Sequence, residues 1–583
     1  MVATHTFTAI AHLLLLFSFC PLGAPYRQAI KPASATNSKT FRCSEVERKA
    51  LLSLKESLLD PSGRLSSWVG EDCCKWIGVG CENRTQHVVK LDLKNPLPVA
   101  KFDFQYERRE ALNKSSLGGR ISPSLLDLKN LSYLDLSLNN FGGNNIPEFL
   151  GSLQSLSYLN LSFSFFAGVI PPHLGNLSRL QYLDLDSYHL PRPKYIEYPH
   201  QAHDYSFVFS QGLKAKNLKW LAGFPSLKYL NLGHANLVKV PNWLEALNTL
   251  PSLEELHLSE CGQVSLPNSI SSFNFTKLSV LDLSLNNFNS SIPHWLSNMS
   301  GLSILNLANN SLRGAIPKAL ADLHSLQELD LSSNSFIEGP IPGGLGNLIH
   351  LRKLDLSSNH INGTIPSSFA NLCNLQTFDL KMNDISGEIN ELVDGFSRCS
   401  NSVLESLALS GNRYLGGKLP CSIGALQKLQ IIDLSNCSLQ GSIPDSIGSL
   451  SFLQRLHLSA NRMSGPIFKS IGNLSMLLEI SLGGNSWEGV LTGADFQNLT
   501  RLKFLYLSRP SENSTLVLDV KPDWVPPFML EYLILRHIRI GPSFPAWVQA
   551  QNELVDLSLV DAGISGRLPE NIGELFPKLE IWL

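Results

Sequence analysis

The chain has 583 residues, a formal net charge of -2 at pH 7 and a charged fraction of 16%. This balance argues against a nucleic-acid-binding protein, since such proteins carry a clustered basic face. Length alone would predict about four domains, but a pattern that recurs roughly every 23 to 29 residues through most of the chain favours one long repeat array.

The N-terminus carries a predicted secretory leader. An apolar run at residues 10–20 (IAHLLLLFSFC) is too short to span a bilayer, and small residues follow it as far as Ala35. This pattern predicts a signal peptide at residues 1–24, with cleavage as late as residue 35. Because no Lys or Arg precedes the apolar run, a short membrane anchor is the alternative.

A cap is predicted at residues 41–82. Residues 44–59 are predicted to form a helix that begins with a capping box of Ser44 and Glu47 and buries an apolar face that includes Val46. In a secreted chain, four cysteines in so short a segment predict two disulfides, with three connectivities open, and a zinc site is the alternative. The four cysteines are Cys43, Cys73, Cys74 and Cys81.

Residues 88–583 are predicted to hold about 18 repeats, the last one incomplete. In the copy at residues 351–374, Leu354 and Leu356 mark a short strand with one buried face, and the Asn359 amide serves the polar backbone of the following turn. One copy is too small to fold alone, so neighbouring copies must share a core. This unit is the leucine-rich repeat, and it predicts an α/β repeat solenoid with a parallel β-sheet on its concave face.

Two insertions interrupt the repeats, near residues 191–212 and 510–528. The first contains His200, His203 and Asp204, but no fourth ligand accompanies them, so we expect a surface loop and no metal site.

Some repeats lack the asparagine that follows the strand. Pro510 and Ile538 replace it around the second insertion, where we expect the asparagine ladder to be broken. Cys261 and Cys437 occupy the same position elsewhere, and we expect them to be buried substitutes and not nucleophiles.

Sequons for N-glycosylation recur along the chain, several of them in the same Asn-Leu-Ser context on the return segment. Asn- and Ser-rich repeats create sequons by chance, yet their recurrence agrees with a secreted chain. The predicted glycosylation positions are Asn83, Asn113, Asn130, Asn160, Asn176, Asn274, Asn289, Asn298, Asn309, Asn362, Asn436, Asn473, Asn498 and Asn513.

A third disulfide is predicted between Cys373 and Cys399. Leu375 and Leu404 are equivalent positions of neighbouring repeats, so the two cysteines fall on adjacent return segments, about 5 Å apart along the stack. This spacing suits a disulfide. Cys421 has no evident partner.

Two columns of side chains are predicted to point out of the concave sheet: the residue before the first buried leucine of each strand, and the residue between its two buried positions. The first column is rich in tyrosine in the early repeats, while the second is mostly Asp or Asn. In the late repeats both columns become large or apolar together, which is typical of interface anchors. We predict that a ligand docks across the late repeats, with tyrosine stacking along the sheet as the alternative. The candidate ligand-binding residues are Tyr158, Tyr182, Tyr229, Arg455, His457, Phe504, Tyr506 and Tyr532.

Several of these features together resemble a known family. They are the leader, the cap with DPSGRLSSW and DCCKWIGVGC, the LxGxIP turn, and PDWVPPF with GPSFPAWVQAQ at residues 522–551. They are similar to the plant leucine-rich-repeat receptor-like proteins, in particular the ethylene-inducing xylanase (EIX) receptor group. The resemblance implies a plant-type superhelix and pairing of Cys43 with Cys73 and of Cys74 with Cys81.

The same resemblance implies an immune receptor at the cell surface. Such a receptor has one membrane span, recognises a protein or peptide ligand of microbial or other origin, and signals through a partner receptor kinase. The chain ends within a repeat opening, so we expect it to lack the later repeats and the span, and to be apoplastic if this truncation is real. The alternatives are a secreted inhibitor of microbial cell-wall-degrading enzymes, similar to polygalacturonase-inhibiting proteins, and a truncated non-signalling copy.

Enzyme motifs are absent from the sequence: it has no P-loop, no kinase HRD motif, no GxSxG elbow and no HExxH. We therefore expect no catalytic residue, cofactor or metal.

Overall fold

The computed structural model describes residues 43–97, 111, 114–187, 212–263, 265–270, 274–467, 470–508 and 516–583. The chain divides into two compact units, Met1–Ser252 and Leu253–Leu583. Several sequence predictions lie outside the described residues: the signal peptide, almost all of the first insertion, the start of the second, His200, His203, Asp204, Pro510, Asn113 and Asn513.

The cap begins with helix α1, Glu45–Ser57, which buries one apolar face. The predicted capping box is wrong, because the Ser44 side chain caps no backbone N–H. Glu47 is instead buried and accepts a 3.2 Å hydrogen bond from the Val88 N–H. Val46 was predicted on the buried face but is 59% exposed, so the helix is rotated away from it.

Two disulfides close the cap. Cys43 pairs with Cys73 and Cys74 with Cys81, with Cα–Cα distances of 5.4 and 5.5 Å. This is the connectivity that the family resemblance implied. Because all four sulfurs are in disulfides, none of them remains as a thiolate for zinc.

The main sheet of the first unit opens with an antiparallel pair, β1 and β2, and continues in parallel from β2 to β6. The parallel strands pair in register, so equivalent residues of successive repeats form straight columns. The strands are β1 Val79–Cys81, β2 Val88–Asp92, β3 Tyr133–Asp135, β4 Tyr158–Asn160, β5 Tyr182–Asp184 and β6 Tyr229–Asn231.

The second unit contains a parallel sheet of strands β7 to β20, each paired with the next one along the chain. Most of these strands have three residues, whereas β17 and β18 have five. The strands are β7 Glu255–His257, β8 Val280–Asp282, β9 Ile304–Asn306, β10 Glu328–Asp330, β11 Lys353–Asp355, β12 Thr377–Asp379, β13 Ser406–Ala408, β14 Ile431–Asp433, β15 Arg455–His457, β16 Glu479–Ser481, β17 Phe504–Ser508, β18 Tyr532–Arg536, β19 Asp556–Ser558 and β20 Ile581–Trp582.

The return segments carry short helices and secondary strands. The α-helices are α2 Trp243–Leu247, α3 Ile389–Ser397, α4 Ala546–Gln549 and α5 Ile572–Leu575. The 3-10 helices are Cys73–Lys75, Pro123–Asp127, Glu148–Ser152, Pro172–Asn176, Lys219–Gly223, His294–Asn298, Lys318–Asp322, Gly343–Asn347, Ser367–Asn371, Cys421–Ala425, Asp445–Ser449, Ile471–Asn473 and Gly493–Phe496. The secondary strands are Leu58–Leu59, Gly118–Gly119, Gly168–Val169, Leu213–Lys214, Arg313–Gly314, Phe336–Pro340, His360–Thr364, Asp384–Glu388, Tyr414–Gly416, Gln440–Gly441, Arg462–Pro466, Ser486–Glu488, Val490–Leu491 and Val517–Leu518.

Buried asparagines tie many of the repeats to their neighbours. The Asn334 Nδ2 donates to the carbonyls of Leu307 in the preceding repeat and Leu331 in its own, at 2.9 and 3.0 Å. Its Oδ1 accepts from the N–H groups of Asn310 and Leu312. Each amide therefore satisfies backbone groups that the turn would otherwise bury unpaired.

Cysteine takes over part of this role at one ladder position. The Cys437 thiol donates to the Leu409 and Ser435 carbonyls at 3.4 and 3.6 Å, as the asparagine amides do. Burial raises the pKa of this thiol to about 11, so it is protonated at neutral pH. Cys261 is fully buried in the equivalent turn. Both residues therefore act as ladder substitutes and not as nucleophiles.

The structure joins Cys373 to Cys399 with a Cα–Cα distance of 5.5 Å. The bond links the end of the 3-10 helix Ser367–Asn371 to the residues that follow α3. Cys421 is exposed and forms no disulfide with any described cysteine. Among the described residues, no helix has the length and apolarity needed to cross a membrane.

Candidate functional site

The open face of each sheet carries the two outward columns, and the side chains in these columns differ between the strands of the first unit and the late strands of the second. In the first unit, Tyr133, Tyr158, Tyr182 and Tyr229 stack with ring centroids 4.2 Å apart. Asp135, Asn160 and Asp184 of the second column lie beside the rings and are only 2 to 7% exposed. The Tyr133 and Tyr182 hydroxyls each donate to the aspartate of their own strand at 3.3 Å.

This arrangement matches the stacking alternative for the early tyrosines. Stacked rings present their edges and not their faces to solvent, and such cross-strand pairs stabilise a sheet. The early column is therefore a structural feature of the first unit.

The middle strands carry carboxylates that are largely paired within the sheet. Lys353 contacts Asp330 at 2.8 Å and Lys381 contacts Asp379 at 3.1 Å. Asp355 lies between these two aspartates. Burial and then the charges of Asp330 and Asp379 raise the pKa of Asp355 to about 6.

Two predicted anchors of the late repeats share one carboxylate. The Arg455 Nε and the His457 Nε2 lie 3.0 and 3.2 Å from the two oxygens of Glu479 on the next strand. Although burial opposes it, His457 and Arg455 hold the pKa of Glu479 below its ordinary value. Both side chains thus already have an acidic neighbour, and they border a ligand surface better than they would form its centre.

The next two strands bring the predicted aromatic residues together. Phe504, Tyr506, Tyr532 and Ile534 form what we call the late apolar cluster. The Phe504 and Tyr532 rings are tilted, with centroids 5.7 Å apart, and Tyr532 is 37% exposed. These rings are not stacked as the early tyrosines are, so apolar ring surface stays open to solvent.

Gly483 supports this cluster, although sequence reasoning missed it. A Cβ atom at this position would overlap the Tyr506 ring and the Ser508 Oγ of the next strand. The Tyr506 hydroxyl accepts a 3.1 Å hydrogen bond from that Oγ. The missing side chain at Gly483 therefore makes room for Tyr506 to lie over the preceding strand.

Arg536 is a second residue that sequence reasoning missed. It faces the same side as Ile534 because β18 continues for two residues beyond the usual strand length. Its Nε donates to the Ser558 Oγ at 3.3 Å. The signal for it was the position after the second buried leucine, which the two-column prediction did not include.

Among the described residues, the sequon asparagines are exposed with one exception. Asn160 lies in strand β4, is 7% exposed, and its Oδ1 accepts from the Ser162 N–H and hydroxyl. Its inclusion among the glycosylation sites is therefore wrong for the folded protein. The other sequons among the described residues are exposed: Asn83, Asn130, Asn176, Asn274, Asn289, Asn298, Asn309, Asn362, Asn436, Asn473 and Asn498.

Family models match both the cap and the repeats. Residues 44–82 match the leucine rich repeat N-terminal domain, and residues 402–575 match a leucine-rich repeat region. Leucine rich repeat models also match residues 276–336, 155–177, 325–348 and 350–372.

Characterised relatives include plant receptor-like proteins. Receptor-like protein EIX1 of Solanum lycopersicum is 36% identical over 266 residues, which are 44% of this chain and 23% of EIX1. Receptor-like protein EIX2 of the same species is 42% identical over 130 residues, 22% of this chain and 12% of EIX2. The matched segments thus span less than a quarter of either relative.

Solved structures with the same fold include plant receptor ectodomains. The peptide hormone receptor RGFR1, in complex with RGF2, aligns with a TM-score of 0.59 and 26% identity over 87% of this chain and 82% of that one. The Arabidopsis HAESA ectodomain, in complex with an IDA peptide hormone, aligns with a TM-score of 0.59 and 25% identity over 92% and 88%.

Proposed function

We propose that this chain, which belongs to the leucine-rich-repeat proteins and is similar to plant receptor-like proteins, is the ligand-binding ectodomain of a cell-surface receptor in plant defence signalling. One observation carries the proposal: the late apolar cluster leaves aromatic surface open on the sheet face of the second unit, whereas the early tyrosines are stacked on one another. Exposed aromatic groups bordered by charges are typical of interface anchors. The defence role is favoured by the similarity to EIX1 and EIX2.

The ligand in this proposal is a protein or peptide, of microbial or other origin. A column of open-face side chains spaced about 4.8 Å apart offers repeated contacts to an extended chain. Structural neighbours crystallised with peptide hormones support this class of ligand.

The signalling partner in this proposal is a receptor kinase. HAESA, for which a complex with IDA and the co-receptor SERK1 is known, aligns with a TM-score of 0.51 and 25% identity. We further propose entry into the secretory pathway, a cell-surface or apoplastic location, and the boundaries 1–24, 41–82 and 88–583 for leader, cap and repeats. The exposed sequons support an extracellular location.

The test uses a yeast-displayed library of random peptides and the full chain purified from plant cells. The wild-type chain should enrich a family of peptides, and the triple variant Phe504→Ala, Tyr506→Ala, Tyr532→Ala should lose this enrichment while its secretion and melting stay unchanged. The matched control, Tyr158→Ala with Tyr182→Ala, alters the early stack and should keep the enrichment.

Two outcomes would contradict the proposal. Enrichment that survives the late triple variant would place binding elsewhere. Inhibition of a fungal polygalacturonase by wild type and triple variant alike would favour the secreted-inhibitor function instead.

A further inference from the structure

The cations on the open face of the late strands differ in whether they have an acidic partner. Arg455 pairs with Glu479, and Lys503 pairs with Glu531. Arg536 forms no ion pair within 4 Å among the residues that the structure describes. Its only side-chain hydrogen bond to a described residue runs from Nε to the Ser558 Oγ. The N–H groups on both terminal nitrogens of this guanidinium therefore donate to no described residue.

The acidic groups near Arg536 do not accept hydrogen bonds from its terminal nitrogens. Asp561 is engaged by the His537 ring at 3.1 Å. Burial raises the pKa of the Asp556 carboxyl, although Arg536 works against this rise. The Oδ1 of Asp556 has no hydrogen-bond partner among the described residues, so the arginine does not reach it. These carboxylates thus compensate the positive charge of Arg536 only weakly.

The position of Arg536 links it to the late apolar cluster. It lies two residues after Ile534 on the same face of β18, which corresponds to about 7 Å along the strand. By register it stands beside Ser508 of β17, next to the hydroxyl end of Tyr506. One surface therefore presents an apolar platform and, at its edge, a planar fork of unpaired donors.

A guanidinium whose terminal N–H groups are free to donate is well matched to binding a carboxylate. Two parallel N–H groups match the two oxygens of a carboxylate, and such bidentate pairs are stronger and more directional than a lysine contact. A neutral polar ligand group would leave the positive charge uncompensated at a partly buried site.

We propose that Arg536 is the specificity-determining residue of the ligand surface: it binds a carboxylate of a peptide whose apolar side chain, about 7 Å away, lies on the late apolar cluster. This inference rests on the proposed function and names the ligand chemistry within it. The peptide therefore carries an acidic group at a fixed spacing from an aromatic or aliphatic residue.

The test again uses the yeast-displayed library of random peptides. Wild-type protein should enrich peptides with an acidic residue near an apolar one. Arg536→Gln should weaken binding of these peptides roughly tenfold to a hundredfold, as expected for loss of a charge-assisted pair, and should keep the apolar preference. Arg536→Glu should enrich basic residues at the same spacing. The matched control is Arg501→Glu, which reverses an exposed charge on the return segment that leads into β17.

The outcomes separate this inference from the proposed function. An unchanged acidic preference in Arg536→Glu, with enrichment still lost in the late triple alanine variant, overturns the role of Arg536 alone. Enrichment that is insensitive to both sets of variants, or its absence with wild-type protein, overturns both proposals. Melting of each variant is measured in parallel, and Arg536→Lys provides a folded form that keeps the charge but lacks the fork.

Discussion

At the scale of single residues, side chains on equivalent positions have different roles because their neighbours differ. Tyr158 and Tyr532 occupy equivalent positions of their strands, yet one is stacked between two rings and the other is open. The column itself follows from the leucine spacing, so sequence could place both residues on the open face. It could not give the ring orientation, which depends on the side chains of the two adjoining strands.

The same limit explains the residues that sequence missed. Gly483 matters only because the Tyr506 ring leans over it, and Arg536 only because β18 is longer than most strands of its sheet. Asn160 has a sequon by sequence alone, but its position inside a strand buries it. Each of these facts depends on contacts between repeats and not on the pattern within one.

One residue-scale prediction concerns the pH dependence of stability. The pKa of Asp355 is raised in the folded state to about 6 from an ordinary value of 3.8, so its stability contribution is fully present below the ordinary value and is lost as pH rises through 6. Asp355→Asn removes the ionisable group, and with it the loss of folding stability as pH rises. The variant should melt higher than wild type at pH 7.5, and the difference should shrink as pH falls toward 4.

Thermal melting across this pH range checks the prediction. The exposed Asp445→Asn serves as the control and should show no such trend. A melting difference for Asp355→Asn that does not change with pH would contradict the account.

At the scale of elements, the strands and turns follow from sequence more closely than the cap does. Leucine at alternate positions, followed by asparagine, is enough to predict a strand and its turn, because each backbone group involved has a partner in the neighbouring repeat. The orientation of α1 was less predictable. Its periodicity allowed Val46 on the buried face, but the contact of Glu47 with Val88 turns the helix the other way.

The element-scale prediction concerns the bond between Cys373 and Cys399, which closes a loop with a sequence separation of 26 residues. A loop of this length contributes on the order of 3 to 4 kcal/mol in the chain-entropy model. The double variant Cys373→Ser, Cys399→Ser should therefore lower the melting temperature by several degrees. Cys421→Ser, which removes an exposed free thiol, should leave melting unchanged.

Differential scanning calorimetry under non-reducing conditions makes this comparison. Equal melting of the double variant and the wild type would show that the bond is absent or does not stabilise the fold.

At the scale of the whole molecule, the repeat class was predictable because one unit recurs across most of the chain and cannot fold alone. The function was less predictable from the sequence, since every repeat places side chains in the same two outward columns. What distinguishes the late strands is a change in composition on two strands, β17 and β18, that lie side by side.

Glycosylation supplies a prediction at this scale. In protein purified from plant cells, glycosidase treatment should lower the mass, and peptide mapping should find sugar at exposed sequons such as Asn176 and Asn473. Asn160 should be unmodified, because its side chain is hydrogen-bonded inside a strand. Sugar on Asn160, or a mass that glycosidase does not change, would contradict the prediction.

The central claim is that a peptide docks on the late strands and not on the early tyrosine stack. Photo-crosslinking tests it most directly, with benzoylphenylalanine introduced as Tyr532→benzoylphenylalanine or, for comparison, Tyr182→benzoylphenylalanine, and with the peptides that the wild-type chain enriches. The account predicts a crosslink from position 532 that excess unlabelled peptide suppresses, and none from position 182. A suppressible crosslink from position 182 with none from position 532 would contradict it.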